Sequence, residues 1–198
     1  IYDSNSRLLL ARLAELGHAA TSRGTLRDDP DAVLEQLFSA AAQADLIITA
    51  GGVSVGDKDI FHAVSQAPRA TRVFWRVAIK PGSPALFWTL AGTPVISLSG
   101  NPFAAAATFE LLARPALLRL GGAAPELPRQ RATLACGFGK GGAVRRFVRG
   151  TLANGAVTLP RGHSSGMLAS LMGCNCLVDI PAGAGPLAAG SPVDVVLL

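Results

Sequence analysis

The chain is organised around the stretch Leu46-Ile-Ile-Thr-Ala-Gly-Gly-Val-Ser-Val-Gly-Asp-Lys-Asp59, an apolar run that breaks into a glycine-rich turn and ends with two carboxylates. A buried strand followed by such a turn leaves backbone N–H groups bare at the edge of a sheet. Domains of the α/β class bind anions with groups of this kind. Taken alone, the glycine pair is also compatible with a simple turn.

Polar and glycine-rich segments follow two further apolar runs. Val95-Ile-Ser-Leu-Ser-Gly-Asn-Pro102 repeats the strand-to-glycine junction, and the helix predicted after Asn101 favours negative charge at its N-terminus. Lys80-Pro-Gly-Ser-Pro84 adds a fixed cation at the end of another strand. Asp57 and Asp59 are able to hold a divalent cation. Together these features predict one pocket for a ligand that carries phosphates and a metal.

The composition is that of a packed globular protein. The chain has 198 residues, of which 49% are hydrophobic and 16% charged, enough for one large domain or two small ones. Its most apolar stretch, 104–120, contains three charged residues, so we expect no membrane span. The net charge of +5 comes mostly from scattered arginines without interleaved aromatic residues, which favours a small anionic ligand over nucleic acid.

The start of the chain and its cysteines indicate cellular context. Ile1 stands where a complete protein would begin with Met, and no basic-then-apolar leader is visible, so we expect a piece of a longer protein without a secretory signal. Cys136, Cys174 and Cys176 are odd in number and form no disulfide framework, which suits a reducing, cytoplasmic location. We interpret the thiols as buried and structural, because His163 is the only further zinc ligand nearby.

Helix and strand patterns alternate over residues 1–121. Helices are predicted from a cap at Ser4 or Asn5, from a cap at Asp29, and over Pro102–Leu120 with Asn101 as cap. Strands are predicted at 18–25, 46–50, 72–78, 86–90 and 94–98. The alternation predicts an α/β fold, with a mostly parallel sheet and helices on both faces.

A change of character at 122–128 predicts a linker between two domains. Proline and glycine cluster there, and the helix patterns end. The preceding residues, 1–121, form the predicted α/β domain, and 129–198 form a small all-β domain. Its strands are predicted at 131–136, 144–152, 156–159, 176–180 and 193–198.

Two formal motif matches do not fit their surroundings. The spacing Gly137-x-Gly139-x-x-Gly142 lies between two strand-like runs, so it indicates a turn rather than a dinucleotide site. Gly162-His-Ser-Ser-Gly166 matches a nucleophile elbow, but no histidine follows it to act as the base. A phosphate loop of the form GxxxxGK[ST] is absent, which excludes an ordinary P-loop NTPase.

Five motifs in order resemble molybdopterin molybdenumtransferase, the MoeA family, which includes the E domain of gephyrin. They are Ile1-Tyr-Asp-Ser-Asn5, Arg27-Asp-Asp-Pro30, Gly51-Gly-Val-Ser-Val-Gly-Asp-x-Asp59, Ala78-Ile-Lys-Pro-Gly82 and Gly100-Asn-Pro102. The resemblance covers nearly the whole chain. It implies the family's third domain, which is MogA-like (similar to the adenylyltransferase that precedes it in the pathway), followed by the C-terminal β domain. The two N-terminal domains of the family are missing.

The resemblance implies a reaction and catalytic residues. Molybdate would be inserted into the dithiolene of adenylylated molybdopterin, with release of AMP and assistance from Mg²⁺ or another divalent cation. Asp59 is the implied catalytic and metal-binding carboxylate, with Asp57 as a second metal ligand and Lys80 as a catalytic cation. Asp28 and Asp29 are weaker candidates, since an aspartate before Pro30 also suits a helix cap.

The resemblance also implies a set of ligand-binding residues. The pterin, phosphate and molybdate groups would contact Gly51, Gly52, Ser54, Gly56, Gly100, Asn101, Arg149 and Ser165, the last two at positions that contact molybdate in the family.

The chain departs from the family pattern near this site. Ser83 replaces a usual lysine, and Ser99, Phe103 and Ala104 replace proline, valine and serine. Arg76 replaces a lysine four residues before Lys80, which keeps the charge and changes its geometry. The exchanges at Ser83 and Ala104 remove a cation and a hydroxyl, which weakens the expectation of molybdate binding.

The implied partners are a small pterin substrate and a second copy of the protein. We expect a homodimer formed through the missing N-terminal domains, no nucleic acid and no membrane, and weak or absent activity from this chain alone. Two alternatives remain open: a binding or scaffolding protein of the same fold that has lost turnover, and a molybdopterin adenylyltransferase relative. The predicted β domain argues against the second, since the simpler relative lacks it.

Overall fold

The computed structural model describes residues 2–53, 59–160, 162 and 166–198, which form two β-sheets and their helices. The elements of the first half are α1 (Ser4–Glu15), α2 (Pro30–Ala41), β1 (Ile47–Ala50), α3 (Ile60–Val64), β2 (Ala70–Trp75), β3 (Ile79–Lys80), β4 (Leu86–Leu90), β5 (Thr93–Leu98), α4 (Pro102–Thr108) and α5 (Arg114–Leu120). Those of the second half are β6 (Arg129–Leu134), β7 (Arg145–Ala153), β8 (Ala156–Thr158), a 3₁₀ turn at Leu168–Leu171, β9 (Cys176–Ile180) and β10 (Pro192–Leu197).

The first sheet is mixed, with strand order β1-β5-β4-β2 among the described residues. Only β1 and β5 are parallel, while β5–β4 and β4–β2 are antiparallel, so the prediction of a mostly parallel sheet is wrong. The cause is the turn between β4 and β5. Ala91 and Gly92 both have positive φ, the geometry of a two-residue hairpin, which forces antiparallel pairing.

Helices cover both faces of this sheet. The face toward α2 and α3 buries Leu37, Phe61 and Trp88, among others. On the opposite face, α1 and the helical segment that runs from α4 to α5 pack around Leu9 and Phe109. Burial on both faces explains why β1 and β5 are nearly continuous apolar runs.

Capping decides where the first two helices begin. The Asp29 carboxylate accepts from the backbone N–H groups of Asp31 and Ala32, and Pro30 is the first helical residue, as predicted. The prediction for α1 is wrong by one residue, since the cap is Asp3, whose Oδ1 accepts from Ser6 N at 3.0 Å.

The predicted strand at 18–25 is absent from the structure. These residues form neither helix nor strand, and nearly all of them are exposed. A run of small and polar side chains has little apolar surface to bury against a neighbouring strand, so strand pairing gains little there.

The predicted helix over Pro102–Leu120 is continuous but contains a π-helical turn at Phe109–Ala113. Pro115 explains the position of this turn. A proline inside a helix cannot donate its hydrogen bond and clashes with the carbonyl group four residues earlier, and the wider π turn relieves that clash.

The second sheet closes into a barrel. Its order is β3-β7-β8-β6-β10-β9, and an additional pairing between β7 and β9 completes the ring. Alternate strand residues such as Leu134, Val157, Val178 and Val195 fill the interior. Closure removes the free edges that an open sheet of this size would expose.

Strand β3 joins the two halves. The predicted strand at 72–78 ends early, because Arg76 adopts a positive φ and the chain turns away from β4. Ile79 and Lys80 then pair in parallel with Arg145 and Arg146 of the barrel. A shared apolar cluster packs the same junction, formed by Phe103, Ala107, Phe147, Leu177 and Val196.

Within the part of the chain that is described, no helix is both long and apolar enough to cross a lipid bilayer.

Gly82 provides a test of the packing where the two halves of the chain meet. Its φ is +92°, and an added Cβ would lie 2.2 Å from Thr108 Cγ2 on α4. We expect Gly82→Ala to lower the free energy of unfolding by about 2–5 kcal/mol, from backbone strain and overpacking together. Urea denaturation measures the loss.

Gly92→Ala is the matched control for Gly82→Ala. Gly92 has the same φ of +92°, but nothing lies within 4 Å of its added Cβ. This variant should lose only the strain component, about 1–2 kcal/mol. Equal losses in the two variants would show that close packing at Gly82 contributes nothing.

Candidate functional site

A cavity of about 700 Å³ lies at the junction of the two halves. Its walls come from the turns after β1 and β5, the β3–β4 connection, the start of α4, and the edge of the barrel. The described lining residues are Gly51, Gly52, Val53, Ile79, Lys80, Pro81, Gly82, Ser83, Pro84, Ser99, Gly100, Asn101, Phe103, Ala104, Phe138, Val144, Arg146, Phe147 and Val148. The volume is within the range of sites that bind small molecules and cofactors.

The first wall is the glycine turn after β1. Gly51 and Gly52 have φ values of +92° and +67°, which side-chain-bearing residues rarely adopt. Gly51 N donates to Leu98 O at 2.9 Å, so the turn is tied to β5. A Cβ on Gly52 would lie 2.8 Å from Ile60 Cγ2, so only glycine fits against α3.

The second wall is the turn after β5. An ideal Cβ on Gly100 would be 3.5 Å from Gly51 Cα, so the two glycine turns are adjacent. Asn5 Nδ2 on α1 donates to Gly100 O at 2.9 Å and holds the turn from behind. The structure therefore confirms that the two turns face one pocket. Asn101 precedes α4 as predicted, although its side chain makes no capping hydrogen bond.

The cationic residues of the cavity come from paired strands. Lys80 lies on β3 and is exposed, and in the parallel register its partner is Arg146 of β7, which is half-buried. Arg146 was missed as a site residue. In the sequence it belongs to the Arg145-Arg146 pair, and only the pairing of β7 with β3 distinguishes the two arginines.

Arg145 has a structural partner in the barrel. Its Nε donates to Asp179 Oδ1 at 2.7 Å, and Arg129 Nη1 donates to Asp179 Oδ2 at 2.7 Å. Burial alone would raise the pKa of Asp179, but the hydrogen bonds from Arg145 and then Arg129 lower it below its ordinary value. Asp179 is thus shared by Arg145 and Arg129, whereas Arg146 lines the cavity.

The electrostatics of the cavity favour an anion. Its described lining contains Lys80 and Arg146 and no aspartate or glutamate. The backbone at Gly52 and Gly100 adds peptide N–H groups on the neighbouring wall, whereas that of Gly51 is taken by Leu98 O. An anionic ligand of cofactor size would find cations and amide donors here.

Arg149 lies next to the cavity but does not line it. It is fully buried, and its Cζ is 4.2 Å from the ring centroid of Phe103, which does line the cavity. Arg149 Nη2 donates to Gly162 O at 3.4 Å. Burial lowers the pKa of Arg149, although an arginine remains charged near neutral pH. The contact of Arg149 with molybdate stays a prediction, and the Phe103 ring lies beside its guanidinium.

Asp59 lies at the N-cap position of α3, beside the glycine turn, and is outside the described lining. Its Oδ2 is buried and finds no hydrogen-bond partner among the described residues. A buried carboxylate oxygen in that state suits a ligand to a cation. The described residues contain no group of three or more His, Cys, Asp or Glu side chains placed to hold a metal ion.

Several predicted site residues lie outside the described residues. They are Ser54, Gly56, Asp57 and Ser165.

The departures from the family pattern concentrate at the cavity. Ser83, Ser99, Phe103 and Ala104 all line it.

The cysteine prediction is correct for Cys176, which is buried, and wrong for Cys136, which is exposed.

The fold and the site define a class: an α/β domain joined to a β-barrel, with a cavity between them whose described lining contains Lys80 and Arg146. Two family profiles match the chain. The first, described as "Probable molybdopterin binding domain", matches residues 1–119, and the second, the MoeA C-terminal region (domain IV), matches residues 131–198.

Similar proteins agree with this class. The molybdopterin molybdenumtransferase of Staphylococcus aureus (strain COL) is 35% identical over 202 residues, covering 100% of this chain and 48% of the relative. Molybdopterin molybdenumtransferase 2 of Mycobacterium tuberculosis is 36% identical over 206 residues, covering 98% of this chain and 50% of the relative. The chain therefore spans about half the length of the curated relatives it matches.

Solved structures show the same fold. The molybdopterin biosynthesis MoeA protein from Pyrococcus horikosii superimposes with a TM-score of 0.85 at 28% identity, covering 100% of this chain and 48% of that one. A molybdenum cofactor biosynthesis protein from Pyrococcus furiosus gives 0.80 at 25% identity, covering 99% and 65%. This chain belongs to the MoeA family, and it corresponds to the C-terminal part of its members.

Asp179 predicts an acid-sensitive component of stability. Because its folded-state pKa is lowered, its stabilising contribution is complete above the unfolded pKa of about 3.9 and is lost as pH falls through the folded value. We expect Asp179→Asn to lower the free energy of unfolding by about 1–3 kcal/mol at pH 7. The deficit relative to wild type should shrink near pH 3, as measured by urea denaturation at both pH values.

Asp194→Asn is the control for Asp179→Asn. Asp194 contacts Arg131 at 3.2 Å, but the two side chains are 53% and 67% exposed, so its loss should cost less than about 1 kcal/mol. A deficit for Asp179→Asn that stays constant with pH would contradict the assigned role of the carboxylate charge.

Proposed function

We propose that this chain is the C-terminal part of a molybdopterin molybdenumtransferase, which inserts molybdate into adenylylated molybdopterin and releases AMP. The observation that carries the proposal is the cavity, where two glycine turns and two cations meet without a described acidic side chain. Family membership supports the choice of ligand, since the relatives that match this chain carry that enzyme name.

Each wall of the cavity has a task in this reaction. The backbone at Gly52 and Gly100 binds phosphate oxygens and orients the phosphoanhydride, while Gly51, whose N–H donates to Leu98 O, shapes the turn beside them. Lys80 offsets the negative charge that accumulates as the P–O bond of the phosphoanhydride breaks. Water supplies the oxygen that completes AMP, and molybdopterin retains its own phosphate.

Asp59, together with Asp57, would hold the divalent cation. The buried and unpartnered Oδ2 of Asp59 fits this assignment. When bound, the cation supplies charge neutralisation at the phosphoanhydride. Asp59 also begins α3, whose first turn packs against Gly52, so the carboxylate is held beside the phosphate-binding turn.

The cellular setting is part of the same proposal. We propose a cytoplasmic protein that acts as a homodimer, with contacts made by domains that relatives carry before this region. The chain by itself would then bind ligand but turn it over weakly.

A second candidate is a ligand-binding or scaffolding protein without turnover. Ser83 and Ala104 favour it, because both line the cavity where the family pattern has a lysine and a serine. An adenylyltransferase relative is less well supported, since residues 131–198 match the MoeA C-terminal region.

The deciding experiment supplies adenylylated molybdopterin, Mg²⁺ and molybdate to the native protein that contains this chain. AMP release by chromatography reports turnover, and calorimetry reports binding. Release that requires molybdate supports the transferase. Binding without release supports the second candidate, and absence of both would refute the proposed ligand.

Asp59→Asn should separate turnover from binding. The substitution keeps the shape of the side chain and removes the charge that a cation needs. We expect AMP release to fall at least about 100-fold, with ligand affinity changed less than about tenfold. Asp45→Asn, at an exposed position outside the cavity, serves as control. Turnover retained in Asp59→Asn would remove this residue from the mechanism.

Ser83→Lys should strengthen oxyanion binding. Ser83 is exposed at the cavity wall, so a lysine fits there and adds a third cation to the lining. A charge-assisted contact of about 1.5–3 kcal/mol corresponds to roughly 10- to 100-fold tighter molybdate binding. Calorimetry with molybdate measures it, and unchanged affinity would show that this wall lies away from the molybdate position.

A further inference from the structure

Strand β2 is an outer strand of the first sheet. Among the described residues its strand partner is β4, and the backbone on its other side has no strand beside it. The N–H and C=O groups of such an edge are able to pair with an added strand from another chain. Val73, at the β-bulge of this strand, is 56% exposed, so the edge also offers apolar surface.

Three exposed arginines follow this edge, and we call them the cationic edge. Arg69 comes directly before β2, Arg72 lies within it, and Arg76 comes directly after it. They belong to a stretch of sequence, 60–109, that contains no aspartate or glutamate. Among the described residues none of the three takes part in an ion pair. The cationic edge therefore carries positive charge that the described part of the chain does not neutralise.

Each arginine of the cationic edge lies against a ring instead of a carboxylate. The three contacts are Arg69 Cζ at 5.6 Å from the Phe38 ring centroid, Arg76 Cζ at 4.6 Å from the Trp75 ring centroid, and Arg72 Nη1 at 3.1 Å from His62 Nδ1. Contacts of this kind position a guanidinium group and leave its charge in place. The positive strip is thus formed before any partner arrives.

A second cavity, of about 450 Å³, lies at the start of the cationic edge. Arg69 lines it together with residues from the C-terminal end of α2 and the β4–β5 turn, which are Phe38, Ala41, Ala42 and Ala91. Except for Arg69, the described lining side chains are apolar. This cavity suits an apolar side chain that has a carboxylate beside it.

We propose that β2 accepts an extended acidic peptide of a partner protein as an added strand. The carboxylates of the peptide pair with the cationic edge, and one apolar side chain enters the second cavity. Arg69 and Arg76 are separated by about 23 Å of extended chain, so a segment of about eight residues spans the edge. Charge complementarity selects the acidic partner, and the backbone of β2 selects the extended conformation.

The same features argue against other occupants. Two β2 strands from two copies of this chain would bring arginines against arginines, which destabilises a strand pair. A nucleic acid would satisfy the charge and leave the strand backbone and the second cavity unused. The cationic edge is outside the described lining of the main cavity, so this docking surface does not depend on the proposed function.

The test measures fluorescence anisotropy of a labelled ten-residue peptide with the native protein that contains this chain. In the peptide, glutamate alternates with threonine, and a leucine stands at the first or the last position, so that two versions cover both strand directions. We expect one version to bind, with an affinity that falls as salt is raised. Replacing its glutamates by glutamines, or its leucine by serine, should weaken binding at least about tenfold in each case. Absence of binding by both versions would overturn the proposal.

A pair of triple variants locates the binding surface. The first replaces the whole cationic edge, with Arg69→Gln, Arg72→Gln and Arg76→Gln, and should weaken peptide binding at least about tenfold. The matched control removes three exposed arginines elsewhere and keeps the same net charge, with Arg7→Gln, Arg27→Gln and Arg119→Gln. The control should bind the peptide as wild type does. Equal weakening in both variants would assign the binding to net charge and overturn the docking surface.

Hydrogen exchange distinguishes strand addition from charge attraction alone. Mass spectrometry should show slower exchange of β2 amides when the peptide is bound, and methylation of alternate backbone nitrogens of the peptide should remove that protection. Unchanged exchange in β2 would overturn strand addition. Displacement of the peptide by a ten-residue thymidine oligonucleotide at a lower concentration than unlabelled peptide requires would assign the edge to nucleic acid instead.

Discussion

The pairing of β3 with β7 is the constraint on which the rest of this structure depends. It attaches a short segment of the first half to the barrel through Ile79 and Lys80, and the apolar cluster around Phe103 and Phe147 packs beneath it. The cavity exists because these contacts hold the glycine turns of one sheet facing the edge of the other. The same pairing places Lys80 next to Arg146, so it also determines the positive charge of the cavity wall.

Backbone conformation supplies the other half of the site. Gly51, Gly52 and Gly82 each adopt a positive φ, and the last two have no room for a Cβ against the neighbouring helices. Glycine is required there by packing as well as by torsion angle. Close packing therefore fixes the course of the backbone at Gly52 and Gly82, which suits a wall that would bind a phosphate through main-chain donors.

Charge is distributed between structural and ligand-facing roles. Asp179 is buried and pairs with the half-exposed Arg145 and Arg129, and Glu110 accepts from Arg12 Nε at 2.6 Å and Arg114 Nη1 at 3.1 Å. Each of these two carboxylates forms ion pairs with two arginines outside the cavity lining. The described cavity lining contains Lys80 and Arg146 and no acidic side chain, so its electrostatic potential favours an anion.

The sequence by itself determined the features that depend on residues close together in the chain. The Asp29 cap, the strands at 86–90 and 176–180, and the two glycine turns were predictable, because capping, apolar periodicity and positive φ are local properties. Only the tertiary structure decided that the first sheet is mixed and that the second closes into a barrel. It also decided that Lys80 pairs with β7 and that Arg146, rather than Arg145, lines the cavity. Each of these is set by strand pairing between distant segments, and pairing register depends on packing that no single stretch of sequence encodes.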